Sequence, residues 1–298
     1  MMRLLHPLLL LFLVTALGPA VHAQSVTQST MDKIRDYRAI YVGVREASVP
    51  FSYMVGDEPM GYSIEICDRI TDAIKAALND PALRVVKVPV TSSSRFLMLQ
   101  AGTVDLECSS TTNTRIRQQL VSFGLTTFVS GVKAAVRRDS QIRRIADLDG
   151  KVVVTTSGTN TERTVRSVLN MRKVSGLFKA GRSHPDSLGM VVSSQADAFV
   201  IDDALLAGLI ASSAQSDKLR ILEENFGYEP YSIVMRRNDT EFKKIVDQAL
   251  RGMMQSGELE RLYNKWFMSP IPPKGINLNL PMSDLLKELI RNPNDEGN

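Results

Sequence analysis

The spacing of apolar residues along this chain alternates between two periods and predicts strands and helices in turn. Short apolar runs at 39–45, 84–90 and 104–108 have the length and composition of buried strands. Between the first two, residues 63–78 place an apolar side chain every three or four positions, as an amphipathic helix does. A shorter helix is expected at 95–100 and is ended by Gly102. This β-α-β-α-β order favours an α/β fold with mostly parallel sheets flanked by helices.

A second unit follows with the same alternation. Its expected elements are extended segments at 123–130 and 132–137, strands at 151–155, 198–201 and 231–237, helices opening at Asn160, His184 and Asp203, and helices at 242–254, 258–267 and 283–291. Extended crossings near 128–133 and 228–232 then join two lobes. The first lobe is expected to be discontinuous, comprising 24–130 and 230–298, and the second to span 131–229.

The two ends of the chain are expected to differ from the folded part. Arg3 precedes an apolar run at 8–17 that is too short to span a membrane, and a Gly-Pro pair ends this run. Residues 1–23 therefore predict a secretory signal peptide cut after about Ala23, and a periplasmic protein; a retained anchor is the alternative. No Cys follows the apolar run directly, which argues against a lipoprotein. The polar tail beyond residue 291 is expected to be mobile.

Composition and charge narrow the classes of function. The chain is 44% hydrophobic and 23% charged, and its formal net charge is only +4. No basic run interleaved with aromatic residues is present, so nucleic-acid binding has no support. Of the three histidines only His184 lies beyond the predicted signal peptide, and two cysteines are too few to complete a metal site. Neither a metal nor a cofactor is expected.

The two cysteines predict a disulfide. Cys67 falls on a predicted helix and Cys108 at the end of a predicted strand, both in the first lobe. An even number of cysteines in an exported protein favours a bridge, because the compartment is oxidising. Two buried free thiols are the alternative.

The stretch 104–117 organises the rest of the chain. Its apolar strand runs directly into Ser110, Thr112 and their polar neighbours, and then into Arg115 and Arg117. If a helix follows, its N-terminal amides and these hydroxyls can hold an anion, over which an Arg side chain closes. The simpler alternative is a helix cap with an exposed Arg.

Other polar residues are expected at the same edge of the sheet. In parallel sheets ligands bind beyond the carboxyl ends of the strands, where Arg45 and the loop with Ser92 and Arg95 also lie. Three arginines therefore converge with several hydroxyl groups. The turn 157–159 is a second candidate anion-binding loop, but it lacks the Gly-Lys-Ser/Thr ending of a P-loop. Asp202, at another strand end, either holds an ammonium group or caps a helix.

Taken in order, these motifs resemble one family. The chain resembles the family-3 extracytoplasmic solute-binding proteins of ABC amino-acid importers, and among them the glutamate/aspartate-binding branch. The resemblance runs from about residue 39 to the end of the chain. It rests on Val-Arg-Glu-Ala-Ser-Val-Pro-Phe-Ser-Tyr at 44–53, Gly-Tyr-Ser at 61–63, the string 107–118, Asp-Leu-Asp-Gly-Lys at 147–151, Ser-Gly-Thr at 157–159, Asp-Asp-Ala-Leu-Leu-Ala-Gly at 202–208, Ser-Gly-Glu at 256–258 and Lys-Trp-Phe at 265–267.

The resemblance implies a fold, partners and roles for residues. The fold is the two-lobed, type II periplasmic-binding-protein fold, a monomer that closes on one amino acid and passes it to ABC permease subunits. Ser110, Thr112 and an Arg would hold the ligand α-carboxylate, and Asp202 its α-ammonium. The groups implied around the side-chain carboxylate are those of Arg45, Ser92, Arg95, Thr159 and His184.

The resemblance leaves a choice between two arginines for the α-carboxylate. The common spacing of the family places this Arg five residues after Ser110, at Arg115. The acidic-ligand branch places it seven residues after, at Arg117. We choose Arg117 because the Ser-Thr-Thr-Asn string follows that branch.

The charges agree with an acidic ligand. A dicarboxylic amino acid carries two anions and one cation, which match Arg117, Arg45 and Arg95 against Asp202. A neutral ligand would leave two buried arginines unpaired.

Glutamate and aspartate are not distinguished, and no enzymatic activity is expected. The alternatives are an enzyme of the same fold, such as a cyclic-acid dehydratase with His184 as its acid or base, and a protein that binds another polar amino acid such as glutamine.

Overall fold

The computed structural model describes residues 28–298, so the predicted signal peptide lies outside the described residues. Within this range the helices are α1 (Thr30–Tyr37), α2 (Tyr62–Ala77), α3 (Arg95–Gln100), α4 (Thr161–Met171), α5 (His184–Val192), α6 (Asp203–Ser212), α7 (Thr240–Gln255), α8 (Glu258–Phe267) and α9 (Asp284–Arg291). The strands are β1 (Ala39–Val44), β2 (Ala47–Ser48), β3 (Ser52–Val55), β4 (Glu58–Met60), β5 (Arg84–Pro89), β6 (Leu106–Glu107), β7 (Val121–Phe123), β8 (Phe128–Arg137), β9 (Val152–Thr156), β10 (Leu177–Gly181), β11 (Ala198–Asp202), β12 (Leu219–Ile221), β13 (Gly227–Tyr231) and β14 (Val234–Arg236). None of the helices in this part of the chain combines the length and apolarity needed to cross a bilayer.

Helix α2 illustrates how apolar spacing builds these elements. Ile66, Ile70 and Ile74 recur every four residues and are all fully buried, so they form one apolar stripe along the helix. Gly61, just before the helix, has a φ of 137°, and a Cβ atom there would lie 2.3 Å from the carbonyl oxygen of Phe51. A glycine is therefore required where the helix begins so close to the preceding loop.

The first sheet has the strand order β5-β1-β6-β14-β7. Strand β1 pairs in parallel with both β5 and β6, as the sequence predicts, whereas β14 pairs antiparallel with β6 and β7. Beneath this sheet an aromatic cluster includes Phe128, Tyr263 and Phe267, with the Phe128 and Phe267 rings stacked at 4.8 Å. Their burial brings helix α8 onto the start of strand β8 and closes the core of the first lobe.

The second sheet has the order β10-β9-β11-β8-β12, and β13 also pairs with β8. Strands β9, β10 and β11 are parallel, while β8 runs antiparallel to β11, β12 and β13. The parallel strands bring the ends of β9 and β11 to one edge of this sheet. The turn before α4 and the start of α6 therefore face the same side of the second lobe.

Two strands lead from one sheet to the other. Strand β8 and strand β13 pair with each other from Phe128–Tyr231 to Val132–Gly227. The ladder extends into the first lobe, because the amide of Thr127 donates to the carbonyl oxygen of Tyr231 at 2.9 Å. These are the extended crossings expected near 128–133 and 228–232, and a paired ribbon of this kind can bend without separating the lobes.

The structure corrects several expectations. The segment 231–237 is not one strand: Ser232 leaves the ladder and donates its amide to the carbonyl oxygen of Thr111 at 3.2 Å, which separates β13 from β14. Helix α1 and the small sheet β2-β3-β4 were not predicted. The polar tail packs against the first lobe; for example, the side-chain amide of Asn113 donates to the carbonyl oxygen of Asp295 at 2.9 Å. These contacts join segments far apart in sequence, which local patterns do not reveal.

The predicted disulfide is present. Cys67 in α2 is bonded to Cys108 directly after β6, with a Cα–Cα distance of 6.2 Å. Both residues are fully buried, and residues 28–298 contain no free cysteine, so the alternative of two free thiols is wrong. The bridge fixes helix α2 to the strand end that leads into Ser109 and Ser110.

Candidate ligand-binding cleft

A small cavity with a polar lining lies between the two lobes. It is lined by Arg45, Ser92, Arg95, Ser110, Thr112, Thr159, Asn160, His184, Ile201, Asp202, Leu205 and Glu229. Eight of the nine candidate ligand-binding residues are in this lining, and the ninth, Arg117, contacts two residues beside it. The space between the lining atoms is about 240 Å³. A cavity of this size suits a small ligand.

The loop after β6 departs from the sequence prediction. Residues 109–116 are not helical, and only a single 3-10 turn, Arg117–Gln119, follows. The amide of Asn113 instead donates to the carbonyl oxygen of Pro230 at 2.8 Å, and Thr112 forms an isolated bridge with Tyr231. The prediction of a helix directly after this strand is wrong, because the loop is paired with the crossing strand. The hydroxyl groups of Ser110 and Thr112 still line the cavity.

Arg115 and Arg117 lie on opposite sides of this loop. Arg117 is 8% exposed, and its Nη1 and Nη2 donate to the carbonyl oxygens of Thr112 at 2.9 Å and Gly158 at 3.2 Å. Burial, and then the positive charge of Arg95, lower the pKa of Arg117 to about 9. Arg115 is exposed and lines a separate cavity on the outside of the protein. Of the two arginines, only Arg117 is placed beside the cleft.

Arg95 is held by a buried network that includes a residue the sequence analysis missed. Its Nη1 donates to Thr111 Oγ1 at 2.5 Å and lies 4.0 Å from the carboxylate of Glu107. Glu107 is fully buried and also accepts hydrogen bonds from Ser109 and, at 2.6 Å, from Thr111. Burial lowers the pKa of Arg95, and the charge of Glu107 opposes this effect. Glu107 is a charged residue inside a predicted buried strand, which was the available signal.

Arg45 of the first lobe and His184 of the second also line the cavity. Burial lowers the pKa of Arg45 to about 10, with Arg95 adding to the effect. His184 is 2% exposed, and its Nδ1 lies 3.0 Å from Thr156 Oγ1. Burial, and then the charges of Arg45 and Arg95, hold the pKa of His184 well below its usual range, so its ring is neutral. Ser183, not His184, caps helix α5 through its side chain.

Thr159 is the other candidate from this lobe, and it follows β9 in the turn before α4. Its hydroxyl donates to the carbonyl oxygen of Thr156 at 2.7 Å, which leaves its oxygen free to accept a hydrogen bond. Together, Thr159 and His184 place one hydroxyl and one imidazole of the second lobe opposite Arg45 and Arg95 of the first.

Asp202 and Asp203 have different roles. Asp203 accepts hydrogen bonds from Ser130 Oγ at 2.7 Å and from the amide of Gly131 at 3.2 Å, which fixes α6 to β8. Asp202 occupies the N-cap position of α6 but makes no capping hydrogen bond with its side chain. Burial, and then the charge of Glu229, raise the pKa of Asp202 well above its usual range. The Asp202 carboxyl is thus directed to the cleft.

Glu229 is the second acid of the cleft that the sequence analysis missed. It lies on β13, is 1% exposed, and accepts hydrogen bonds from Thr112 Oγ1 and, at 3.1 Å, from Asn160 Nδ2. A charged residue in an otherwise apolar crossing segment was the available signal. The residues that hold it come from both lobes.

Several buried polar atoms of the lining have no hydrogen-bond partner among the described residues. They are Ser92 Oγ, Arg95 Nε, His184 Nε2 and Asp202 Oδ1. Buried polar groups are normally paired, since leaving them unpaired costs free energy. Donors and an acceptor directed into one small cavity fit a polar ligand that carries groups of both signs. Residues 28–298 contain no cluster of acidic, His or Cys side chains that could hold a metal ion.

The lobes touch each other through glycines at two points. A Cβ atom at Gly158 would lie 2.6 Å from the backbone of Ser92, and one at Gly208 would lie 2.4 Å from the carbonyl oxygen of Val49. Gly158 also has a φ of +78°, which favours glycine. The backbone of each lobe can therefore approach the other more closely than any side chain would allow.

The fold and the cleft define a class of protein, a two-lobed receptor for a small solute. Residues 40–269 match the bacterial extracellular solute-binding proteins, family 3, and the chain belongs to this family. It is 39% identical over 295 residues to the glutamate/aspartate import solute-binding protein of Salmonella typhimurium, covering 99% of this chain and 98% of that protein. It is also 39% identical over 297 residues to the L-glutamate/L-aspartate-binding protein of Pseudomonas aeruginosa, covering 99% and 98%. The family resemblance seen in the sequence is thus confirmed.

Solved structures show the same fold at lower identity. A mutant of ArgBP from T. maritima has a TM-score of 0.70 and 24% identity, covering 80% of this chain and 98% of that chain. The cysteine-binding protein of Campylobacter jejuni has a TM-score of 0.69 and 22% identity, covering 80% and 93%. An ancestral amino-acid-binding protein, described as a precursor of cyclohexadienyl dehydratase, has a TM-score of 0.68 and 24% identity, covering 80% and 99%. The type II periplasmic-binding-protein fold expected from the sequence is confirmed.

Proposed function

We propose that this protein binds an acidic amino acid, glutamate or aspartate or both, and delivers it to an ABC importer. The observation that carries the proposal is a small interlobe cavity that combines buried arginines, a carboxyl group and unpaired polar atoms. The names of relatives that are 39% identical over nearly the whole chain support the same ligands and the import role. The implied partners are the membrane permease subunits of such an importer.

The cavity has two poles, which support an acidic ligand. Arg45 and Arg95 are close enough to His184 to lower its pKa, and so form a cationic pole. Asp202 and Glu229 form an anionic pole. The charge argument from sequence counted only Asp202 and omitted Glu107 and Glu229, so the net charge of the site is not what selects the ligand. Groups of both signs around one small cavity suit a ligand that carries an ammonium and a second carboxylate.

The roles of the individual residues follow from this polarity and remain part of the proposal. The α-carboxylate is held by Ser110, Thr112 and Arg117, and the α-ammonium by Asp202. The side-chain carboxylate is surrounded by Arg45, Ser92, Arg95, Thr159 and His184. The unpaired Ser92 Oγ and Arg95 Nε atoms support the second assignment, because both are donors.

Calorimetry on refolded, ligand-stripped protein against each standard amino acid tests the ligand. Glutamate and aspartate are expected to bind tightly, glutamine more weakly, and cationic or apolar amino acids not measurably. Tighter binding of any neutral or cationic amino acid would contradict the proposal.

The ligand recovered after long incubation is expected to be chemically unchanged, since we propose that the protein is not an enzyme. A product formed from glutamate, aspartate or a cyclic acid would support the dehydratase alternative.

The family is extracellular, and we propose in addition that this chain is exported to the periplasm after cleavage following about Ala23. Intact mass of the periplasmic protein is expected to correspond to a start near Gln24; a full-length mass would contradict this.

We also propose lobes of 24–130 with 230–298 and of 131–229, and a monomer. Strand β8 spans the first of these boundaries. Light scattering of the purified protein at several concentrations tests the monomer, and a concentration-dependent mass would exclude it.

A further inference from the structure

Glu229 connects the two lobes at the anionic end of the cleft. Its Oε2 accepts a hydrogen bond from Thr112 Oγ1, in the loop of the first lobe. Its Oε1 accepts from Asn160 Nδ2 at 3.1 Å and from Thr164 Oγ1 at 3.5 Å, both at the start of helix α4 in the second lobe. The Glu229 carboxylate is therefore surrounded by donors, and donors stabilise the charged form of a carboxyl group.

Asp202 lies in the same cavity, but it has fewer hydrogen-bond donors than Glu229. It is 4% exposed, and its Oδ1 has no hydrogen-bond partner among the described residues. Two carboxyl groups that share one desolvated site disfavour each other's charged form, so the group with fewer hydrogen-bond donors is the one that keeps a proton. Three side-chain donors bind the Glu229 carboxylate, whereas the donors that favour a charged Asp202 are the Tyr231 hydroxyl and its own backbone amide. The geometry therefore leaves this proton on Asp202.

Other charged groups around Asp202 act in both directions. Asp203, the next residue on α6, disfavours the charged form of Asp202, as burial and Glu229 do. Arg95 and Arg117 are near enough for Asp202 to raise their pKa, and they favour its charged form. Arg45 and neutral His184 line the same cavity. The two nearby arginines already act on Asp202 in the ligand-free protein. A further positive group close to Asp202 is therefore needed to convert its carboxyl from the protonated to the charged form.

We propose that Glu229 is a positioning residue for the ligand ammonium group, which keeps a proton on Asp202 until that ammonium arrives and displaces the proton into solvent. The inference rests on the proposed function, since it requires a ligand with an α-ammonium. The ammonium keeps its own protons and forms a charge-assisted hydrogen bond with the Asp202 carboxylate, while the acid proton of Asp202 goes to water. Below the titration point of Asp202, affinity for glutamate then rises with pH by about tenfold per pH unit.

Carboxyl ¹³C NMR of the ligand-free protein tests the first half of this proposal without any ligand. The Asp202 signal is identified by its loss in Asp202→Asn. It is expected to titrate above the ordinary range of Asp in the wild type and at a lower pH in Glu229→Gln. The same titration point in both proteins would overturn the role of Glu229, whatever the protein binds. If no amino acid binds, the proposed function fails. The titration still shows whether Glu229 keeps a proton on Asp202.

Calorimetry of glutamate binding in buffers of different ionisation enthalpy tests the second half. The wild type is expected to release more protons than Glu229→Gln, by up to about one proton per ligand. Contributions from His184 are common to both proteins and cancel in this difference. Asn160→Ala is the matched control, because it removes a hydrogen bond to Glu229 but leaves the charge, and it is expected to keep the proton release.

A purely structural role for Glu229 gives a different result. Glu229→Gln would then bind more weakly but with the proton release and pH profile of the wild type, and the proposal would be overturned. Circular dichroism and thermal unfolding establish that each variant is folded. If Glu229→Gln does not fold, Glu229→Asp and Asp202→Asn replace it. The first is expected to keep the proton release and the second to lose it, and equal release in both would overturn the proposal.

Discussion

Arg117 Nη2 donates a hydrogen bond to the carbonyl oxygen of Gly158 at 3.2 Å and so joins the loop after β6 in the first lobe to a turn of the second. Its Nη1 donates at the same time to the carbonyl oxygen of Thr112. A single guanidinium therefore contacts both lobes beside the site proposed for the α-carboxylate. This position suits a residue that binds the ligand only when the lobes are closed.

Replacing Arg117 by Ala is expected to weaken every amino-acid ligand. Removing one partner of a buried charge pair costs about 2–5 kcal/mol, which is roughly 30- to several-thousand-fold in affinity. Arg115→Ala is the matched control, because Arg115 is exposed and faces away from the cleft. Calorimetry with glutamate and aspartate measures both. A crippling effect of Arg115→Ala with a silent Arg117→Ala would show that the common family spacing applies.

Arg95→Leu is expected to reduce glutamate affinity by a similar factor and glutamine affinity much less. The reason is that only the glutamate side chain brings a charge to this pole of the cavity. The substitution also removes the partner of Glu107, which lies 4.0 Å away, so some loss of stability is expected for the protein as a whole. The ratio of glutamate to glutamine affinity cancels that common loss. An unchanged ratio would mean that Arg95 does not face the ligand side chain.

Gly208→Ala is expected to hinder closure without unfolding the protein. The added Cβ would lie 2.4 Å from the carbonyl oxygen of Val49 in the other lobe, whereas in the helix itself Ala is favoured over Gly by about 1 kcal/mol. Affinity should fall for glutamate and aspartate alike, and small-angle scattering should show less compaction on adding ligand. Gly252→Ala is the control, since nothing lies near a Cβ at that position of helix α7. Wild-type affinity and compaction in Gly208→Ala would contradict this account of the contact.

Removing the disulfide is expected to lower the free energy of unfolding. Cys67 and Cys108 are separated by 41 residues, for which loop-closure entropy gives at most about 4 kcal/mol. Denaturant unfolding of the Cys67→Ser/Cys108→Ser protein, compared with the oxidised wild type, measures the loss. A reductant should destabilise the wild type and leave the double variant unaffected. Equal stability of all three samples would mean that the bridge contributes nothing.

The sequence predicts the longer elements of this fold well and the shorter ones poorly. Helix α8 has the predicted bounds of 258–267, and β1 and β5 each end one residue before their predicted ends. Their apolar spacing is long enough to report which face is buried. Strands β2 and β12 have only two and three residues, and their pairing partners determine them rather than their own composition.

The same distinction between local sequence and tertiary packing applies to the candidate site. The sequence by itself determined which side chains are available: the arginines after three strands, the hydroxyls of the loop after β6, Asp202, and an even number of cysteines. Only the tertiary structure decided that Arg117 lies beside the cleft while Arg115 is exposed, that Glu107 and Glu229 join the network, and that the loop after β6 pairs with β13 and forms no helix. The physical reason is that the chemistry of a side chain and its spacing from others can be read from the residue and its neighbours in sequence. The partner of each buried amide and carboxylate is set by the packing of distant segments, such as Thr112 against Glu229.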